Sequence, residues 1–409
     1  MNKEDNSRTP RLRFPGFTGE WEERPLSFFL FEHKTKSDGK SEVHSVSVSK
    51  GVVNQVEYLG RSFAAADTSK YKLAKPNDII YTKSPTGDFP YGIVKMNKNP
   101  YNVIVSPLYA VYTPSNKYVG YILDSYFESP VNTNNYLASL IQKGAKNTIQ
   151  ISNDTFISKS LFLPIDTAEQ QKIAACLSEM DALIIAQRQK VEALKEQKKG
   201  LMQQLFPQQG ETTPRLRFPG FTEIWEKRKL SELATSFSGG TPKSGEPKFY
   251  GGEIPFIRSG EIHGDKTALF ITEEGLNNSS AKMVNKGDLL IALYGATSGE
   301  VGISKIKGAI NQAILCIRSQ KLNSIFLCNY LEIIKNQITS RYLQGGQGNL
   351  SSDIIMSLNI PYPSHSEQLK LAEFLSTLDT LIVKESAKVT SLKNHKKGLI
   401  QQLFPQQNK

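Results

Sequence analysis

The residues best suited to contacting a ligand sit in short polar loops. In the first half these are Lys83, Ser84 and Thr86, within Lys83-Ser84-Pro85-Thr86-Gly87. The second half offers Arg258 and Ser259, Tyr294 and Thr297, Asn311 and Gln312, and then Gln344, Gln347 and Asn349 in a glycine-rich run. Arginine, lysine, asparagine and glutamine carry donors and acceptors that fit base edges, and glycine lets a backbone N–H approach a phosphate. Each of these residues taken singly is also an ordinary turn residue. The signal is their recurrence between short apolar runs.

Bond-making chemistry is harder to find. Gly240-Thr241-Pro242-Lys243-Ser244-Gly245 has the spacing of a phosphate loop, but Glu246 stands where the lysine is required. Asn99-Pro100-Tyr101 echoes an amino-methyltransferase box without its second proline, and no glycine-rich cofactor turn precedes it. Glu32-His33-Lys34 lacks the upstream acid that a Mg²⁺ nuclease needs. The five histidines are scattered, and Cys176, Cys316 and Cys328 form no pair at metal or redox spacing. The expectation is a reader without chemistry of its own.

Composition fits that expectation. Fifty Lys and Arg against 39 Asp and Glu give +11, a surplus that favours polyanionic partners. The N-terminal Met1-Asn2-Lys3-Glu4-Asp5-Asn6 has no apolar core of a secretory signal, and no run approaches the roughly 18 apolar residues that span a bilayer. Three cysteines, an odd number, argue against a disulfide framework and for a reducing, cytoplasmic setting.

The elements that must position these loops are written twice. Thr9-Pro10-Arg11-Leu12-Arg13-Phe14-Pro15-Gly16-Phe17-Thr18 recurs without change as Thr213 through Thr222, and Trp21-Glu22 returns as Trp225-Glu226. Lys198-Lys199-Gly200-Leu201 and Gln203 through Gln209 return as Lys396 through Leu399 and Gln401 through Gln407. A period of about 200 residues means duplication of whole modules rather than a solenoid. Between the repeated blocks the halves diverge but keep their punctuation. Asp78-Ile79-Ile80 answers Asp288-Leu289-Leu290, Gly92-Ile93 answers Gly302-Ile303, Lys143-Gly144 answers Gln344-Gly345-Gly346, and Ser152-Asn153-Asp154 answers Ser351-Ser352-Asp353. Strand-like runs at Val46–Val48, Ile79–Tyr81, Val103–Val105, Leu289–Ala292 and Ile314–Ile317 mark both variable heads as α+β.

Each half closes on a long amphipathic helix. Thr167-x-x-Gln170 and Ser364-x-x-Glu367 read as capping boxes. Apolar residues then fall at Ile173, Leu177, Met180, Ile184, Val191, Leu194, Leu201 and Leu205, and again at Leu371, Leu375, Leu378, Ile382, Val389, Leu392, Leu399 and Leu403. This near 3.5-residue repeat makes a stripe that buries only against another helix. The two helices are therefore expected to pair, and a head-to-tail duplication favours antiparallel packing with the heads at opposite ends. Pairing rests chiefly on Ile173, Leu177, Ile184, Val191 and Leu194 against Leu371, Leu375, Ile382, Val389 and Leu392. Polar breaks at Gln187/Glu385 and Lys198/Lys396 either set register or receive a partner. The stretches 169–205 and 367–404 carry +3 of the +11, so most of the basic surface lies on the heads and their flanks.

This arrangement resembles the specificity subunit of a Type I restriction–modification enzyme over essentially the whole chain. The repeated Thr-Pro-Arg-Leu-Arg-Phe-Pro-Gly-Phe segments, the Glu169-Gln170 and Glu367-Gln368 helix starts and the Gln-Gln-Leu-Phe-Pro endings carry the resemblance, with Gly239-Gly240-Thr241-Pro242 and Phe249 through Ile257 in the second head. The first head has His33-Lys34-Thr35-Lys36 there instead. The resemblance implies an α+β fold of two duplicated α+β target-recognition domains separated by two long antiparallel coiled-coil helices, with pseudo-twofold symmetry. The corresponding segments are 1–163, 164–212, 213–362 and 363–409. It further implies that each head reads half of a bipartite site in double-stranded DNA, that the helices dock two modification (methyltransferase) subunits, and that a motor–nuclease subunit joins for restriction. S-adenosylmethionine, ATP and Mg²⁺ would then belong to those partners, and this chain would bind no cofactor or metal. The alternative from another class is a duplicated protein-interaction scaffold.

Overall fold

The computed structural model describes residues 8–143, 149–208, 210–343 and 349–405. It divides into two compact units, 1–188 with 387–409, and 189–386. The segments drawn from the sequence give each helix a stretch of its own, whereas each unit takes the start of one long helix and the end of the other.

The first unit is built on an antiparallel sheet in the order Leu30–Glu32, Ala110–Pro114, Ile79–Tyr81, Val94–Met96. The second unit repeats that order with Thr235–Ser238, Ile314–Arg318, Leu289–Ala292 and Val301–Ile303. The five strand-like runs read from the sequence all fall on strands, the first ending at Ser47 rather than Val48. The inner strands are buried on both faces, which is why Ile79-Ile80-Tyr81 and Leu289-Leu290-Ile291-Ala292 are continuous apolar runs. The paired aspartates hold equivalent turns. Asp78 accepts from the Lys75 N–H and Asp288 from the Asn285 N–H, each at 2.7 Å. The preceding residue is left-handed in both, Asn77 at φ 72° and Gly287 at φ 97°, and these residue types tolerate that region best. The second unit adds a mixed sheet in the order Leu269–Ile271, Tyr250–Ile257, Gly308–Ile310, Lys282–Val284. At the matching stage the described residues of the first unit form the pairs His44–Ser47 with Gly51–Asn54 and Lys72–Ala74 with Val103–Val105.

The repeated blocks meet one another inside each unit. In the first, Leu12 N–H donates to Gln402 O at 3.0 Å, and Trp21 meets Phe404 edge-on at 6.4 Å. In the second, Leu216 N–H donates to Gln204 O at 3.0 Å, and Trp225 meets Phe206 at 6.2 Å. Arg13 grips Glu169 with bonds of 2.7 and 2.8 Å while Trp21 Nε1 donates to the same carboxylate at 3.2 Å. Arg217, Glu367 and Trp225 repeat this at 2.7, 2.8 and 3.0 Å. Glu22–Pro25 then pairs with Ser160–Leu163, and Glu226–Lys229 with Asn359–Tyr362. The repeats are identical because they build the same junction twice.

That junction corrects the capping reading. The first long helix, Thr167–Leu205, is capped by Asp166, whose carboxylate accepts from Ala168 N–H at 2.7 Å. Gln170 instead turns inward to Pro164 O at 2.8 Å and Asn116 at 2.9 Å. The second, His365–Leu403, does receive Ser364 as its cap, but Glu367 faces Arg217 rather than the cap N–H. A charge-assisted pair in a buried site outcompetes a cap bond open to water.

In each unit the start of one long helix packs on the end of the other, so the segments run antiparallel. Ile173 and Leu177 share a core with Ile400, Leu403 and Phe404, and Leu371 and Leu375 share another with Met202, Leu205 and Phe206. Ile184 and Val191 are buried, while Leu194, Ile382, Val389 and Leu392 are half-buried. The polar breaks are paired reciprocally. Lys198 meets Asp379 at 2.7 Å in the second unit, and the buried Lys396 meets Asp181 at 2.6 Å, together with Glu128, in the first. Glu385, 3% exposed, takes Lys190 at 3.2 Å. Each of these charges is met by an opposite charge within its own unit.

Candidate nucleic-acid interface

In the second unit the candidate loops converge. Gly239 lies so close to the strand Gly308–Ile310 that a Cβ there would stand 1.8 Å from Ile310 O, and one on Gly240 would stand 2.5 Å from Ser280. Only glycines admit this approach. It places Thr241 against Gln312, with Thr241 Oγ1 donating to Gln312 Oε1 at 2.6 Å. Burial pushes the Tyr294 phenol up, and the neighbouring Gln312 amide opposes the shift. Beside them, Asn311 Oδ1 accepts from Ala313 N–H at 3.2 Å, and Asn311 N–H reaches Ile257 O, immediately before Arg258. Thr297 closes the next turn by accepting from Glu300 N–H at 2.9 Å. Leu350 N–H donates to Leu293 O at 2.8 Å, which brings Asn349 to this cluster.

Arg258 is already engaged. Its guanidinium donates to Glu261 at 3.1 and 3.2 Å, and Ser259 lies within the short turn these two close. Glu261 lies below its ordinary value because that bond and the Arg258 and Ala268 N–H groups outweigh burial. While that carboxylate stays bound, only the remaining N–H donors of Arg258 are open to a ligand. Gln344 and Gln347 lie outside the described residues, as does the Gly144 that answers their loop.

The first unit presents Lys83, Ser84 and Thr86 exposed on the loop after Ile79–Tyr81. Thr86 and Phe89 exchange backbone bonds at 3.0 and 2.9 Å, and Gly92 (φ 105°) packs where a Cβ would lie 2.0 Å from Thr82 O. Both constraints fix the loop at its base. Burial lowers the Lys83 ammonium, and Glu32 opposes that shift.

Sequence reasoning did not place Thr241 among the contact residues, because its motif reads there as a failed phosphate loop and as part of the resemblance, with no sign of its partner Gln312. It also missed an exposed apolar pair present on both helices. Leu183 and Ile185 are 55% and 54% exposed, and their repeats Leu381 and Val383 are 37% and 68% exposed. The 3.5-residue repeat picks out one stripe, and these residues lie off it. Among the described residues no group of three or more His, Cys, Asp or Glu side chains is placed to hold a metal ion. Among the same residues no helix is long and apolar enough to cross a membrane.

Two α+β heads, each bound to long antiparallel helix segments by one repeated junction, define a duplicated two-headed subunit. Over 98% of this chain and 100% of the other, the fold matches a Type I restriction–modification S subunit from M. genitalium, with a TM-score of 0.58 at 15% identity. Residues 222–393 match the family described as Type I restriction modification DNA specificity domain. The MjaVIII specificity subunit of Methanocaldococcus jannaschii is 27% identical over 65% of this chain and 66% of its own length. The putative MjaX specificity subunit of the same organism is 29% identical over 64% of this chain. The match thus spans 66% and 63% of those two relatives. In sequence the chain is thus similar to Type I restriction–modification specificity subunits, and it carries that family's DNA specificity domain over residues 222–393.

Proposed function

We propose that this chain reads a bipartite site in double-stranded DNA and directs modification and ATP-dependent restriction carried out by partner subunits. The observation that carries the reading is the duplicated frame with divergent heads: one repeated junction holds two different loop sets, as two half-sites require. In the second head Gln312 is the leading base reader, held by Thr241 so that its amide is oriented before DNA arrives. Asn311, Arg258 and Asn349 flank it, and Lys83, Ser84 and Thr86 serve the first head. The exposed pairs Leu183/Ile185 and Leu381/Val383 suit two copies of one partner, since each unit offers the same apolar feature. Two modification subunits using S-adenosylmethionine fit there, and a motor–nuclease would bring ATP and Mg²⁺. The chain then carries out no reaction itself, binds no cofactor, and works in the cytoplasm.

Selection of the full-length chain on a pool of random duplexes tests the reading. It should enrich two short half-sites separated by a fixed run of unspecified bases. A protein-interaction scaffold would enrich no sequence.

A further inference from the structure

The first unit gathers Lys34, Lys72 and Lys83 at one end of its central sheet, with Lys36 beside them. Lys36 stands opposite Lys72 in an antiparallel bridge, Leu73 N–H donates to Thr35 O at 2.9 Å, and Ser37 N–H donates to Tyr71 O at 2.8 Å. Side chains alternate along an extended run, so Lys34 shares the face of Lys36 and Lys72. Lys72 Nζ donates to Tyr109 O at 2.6 Å, next to Ala110, which pairs with Tyr81. Lys83 leaves the sheet two residues after Tyr81, at that same end. The nearby carboxylate is Glu32, and its Oε1 already accepts from Asn153 at 2.6 Å. Among the described residues none of the three lysines has a carboxylate within ion-pair distance.

The charge balance here is unfavourable without a ligand. Burial lowers the Lys72 ammonium and Glu32 opposes that, while Lys83 and Lys34 push it further down. An anion would relieve this crowding. Lysines are point charges on flexible stems, suited to gripping phosphate without the planar matching an arginine fork demands.

We propose that Lys34, Lys72 and Lys83 form a phosphodiester-binding site through which the first unit grips the DNA backbone, with Glu32 as the internal counter-ion that restrains it. The inference rests on the DNA-reading function above and adds the place and chemistry of contact in the head that lacks the glycine-rich opening. It assigns these lysines to affinity rather than to sequence preference.

Fluorescence anisotropy of the full-length chain with labelled duplex, across about 50 to 200 mM salt, tests it. Each phosphate that is no longer neutralised should flatten the plot of log affinity against log salt by about 0.9. Lys34→Gln with Lys83→Gln should therefore lower the slope by about 2, with a loss about tenfold larger at the low-salt end. Glu32→Gln keeps an acceptor for Asn153 and removes the restraint, so it should bind duplex more tightly, a gain that mere structural damage cannot produce. An unchanged slope in the lysine pair, or weaker or unchanged binding in Glu32→Gln, overturns the proposal. Inorganic phosphate at constant ionic strength separates the two sources of the anion. If it raises the Tm of the wild type but not of the lysine variant, and duplex affinity does not differ between them, the site takes free phosphate and the DNA assignment falls. If the wild type itself shows no salt-steep duplex binding, the DNA-reading function fails first.

Discussion

Replacing Glu367 with alanine should destabilise the second unit by about 3 kcal/mol. The carboxylate is 2% exposed and takes two bonds from Arg217, whose side chain is 15% exposed, and a third from Trp225. Breaking a buried pair by removing one partner costs about 3–5 kcal/mol, because the other charge is left uncompensated. The lower end applies because Arg217 retains some access to water. The orphaned indole N–H is included in that figure, at about 1 kcal/mol. For a unit of this size each kcal/mol moves the midpoint by about 2–4 °C, so calorimetry should record a fall of about 6–12 °C. Arg217→Met with Glu367→Leu removes both charges and should recover at least half of the loss. Glu169→Ala should act on the first unit in the same way, through Arg13. A loss below about 0.5 kcal/mol, the range of ordinary surface substitutions, would refute the reasoning. So would a double variant as unstable as Glu367→Ala, because the penalty would then not arise from the stranded charge.

Three further outcomes are expected. Gln312→Ala should relax preference at one position of one half-site by about 1–3 kcal/mol, and Thr241→Val should weaken the same position by freeing the amide, both read by competition among duplex variants. Exchanging residues 30–160 for another head of the family should change one half-site only, and selection sequencing that finds both changed would contradict it. Burial raises the Asp181 carboxyl, but Lys98 and Lys396 outweigh this and hold it below its ordinary 3.8. A depressed carboxylate stabilises the fold above that value and ceases to do so as pH falls through its lower folded value. The stability gap between wild type and Lys396→Met, measured by denaturant unfolding, should therefore shrink as pH falls below 3.8.

The frame could be read from the chain because duplication exposes it. Identical blocks far apart in sequence must do identical work, and the structure has Arg13, Trp21 and Phe404 meeting at the helix that begins beside Glu169. The fully buried strands were also visible, since Ile79-Ile80-Tyr81 has no polar alternation to obscure it. What escaped depends on approach between distant segments. Nothing in Gly239-Gly240-Thr241 states that a strand some seventy residues later lies against it and hands Gln312 to Thr241. Arg258 looked free because Glu261 three residues on gave no sign of folding back. Lys34, Lys72 and Lys83 are scattered in sequence and converge only through strand pairing. The capping boxes failed for a related reason: Glu367 is taken by the distant Arg217, and Gln170 by Pro164 O and the distant Asn116.

The central claim is that this chain supplies sequence specificity to a modification enzyme, and methylation sequencing of cells with and without the gene tests it most directly. Deletion should abolish methylation at one bipartite motif while leaving other motifs untouched, and restoring the gene with Gln312→Ala should bring the motif back with one position of one half-site relaxed. Identical methylation maps with and without the gene, in cells that express its partner subunits, would contradict the account.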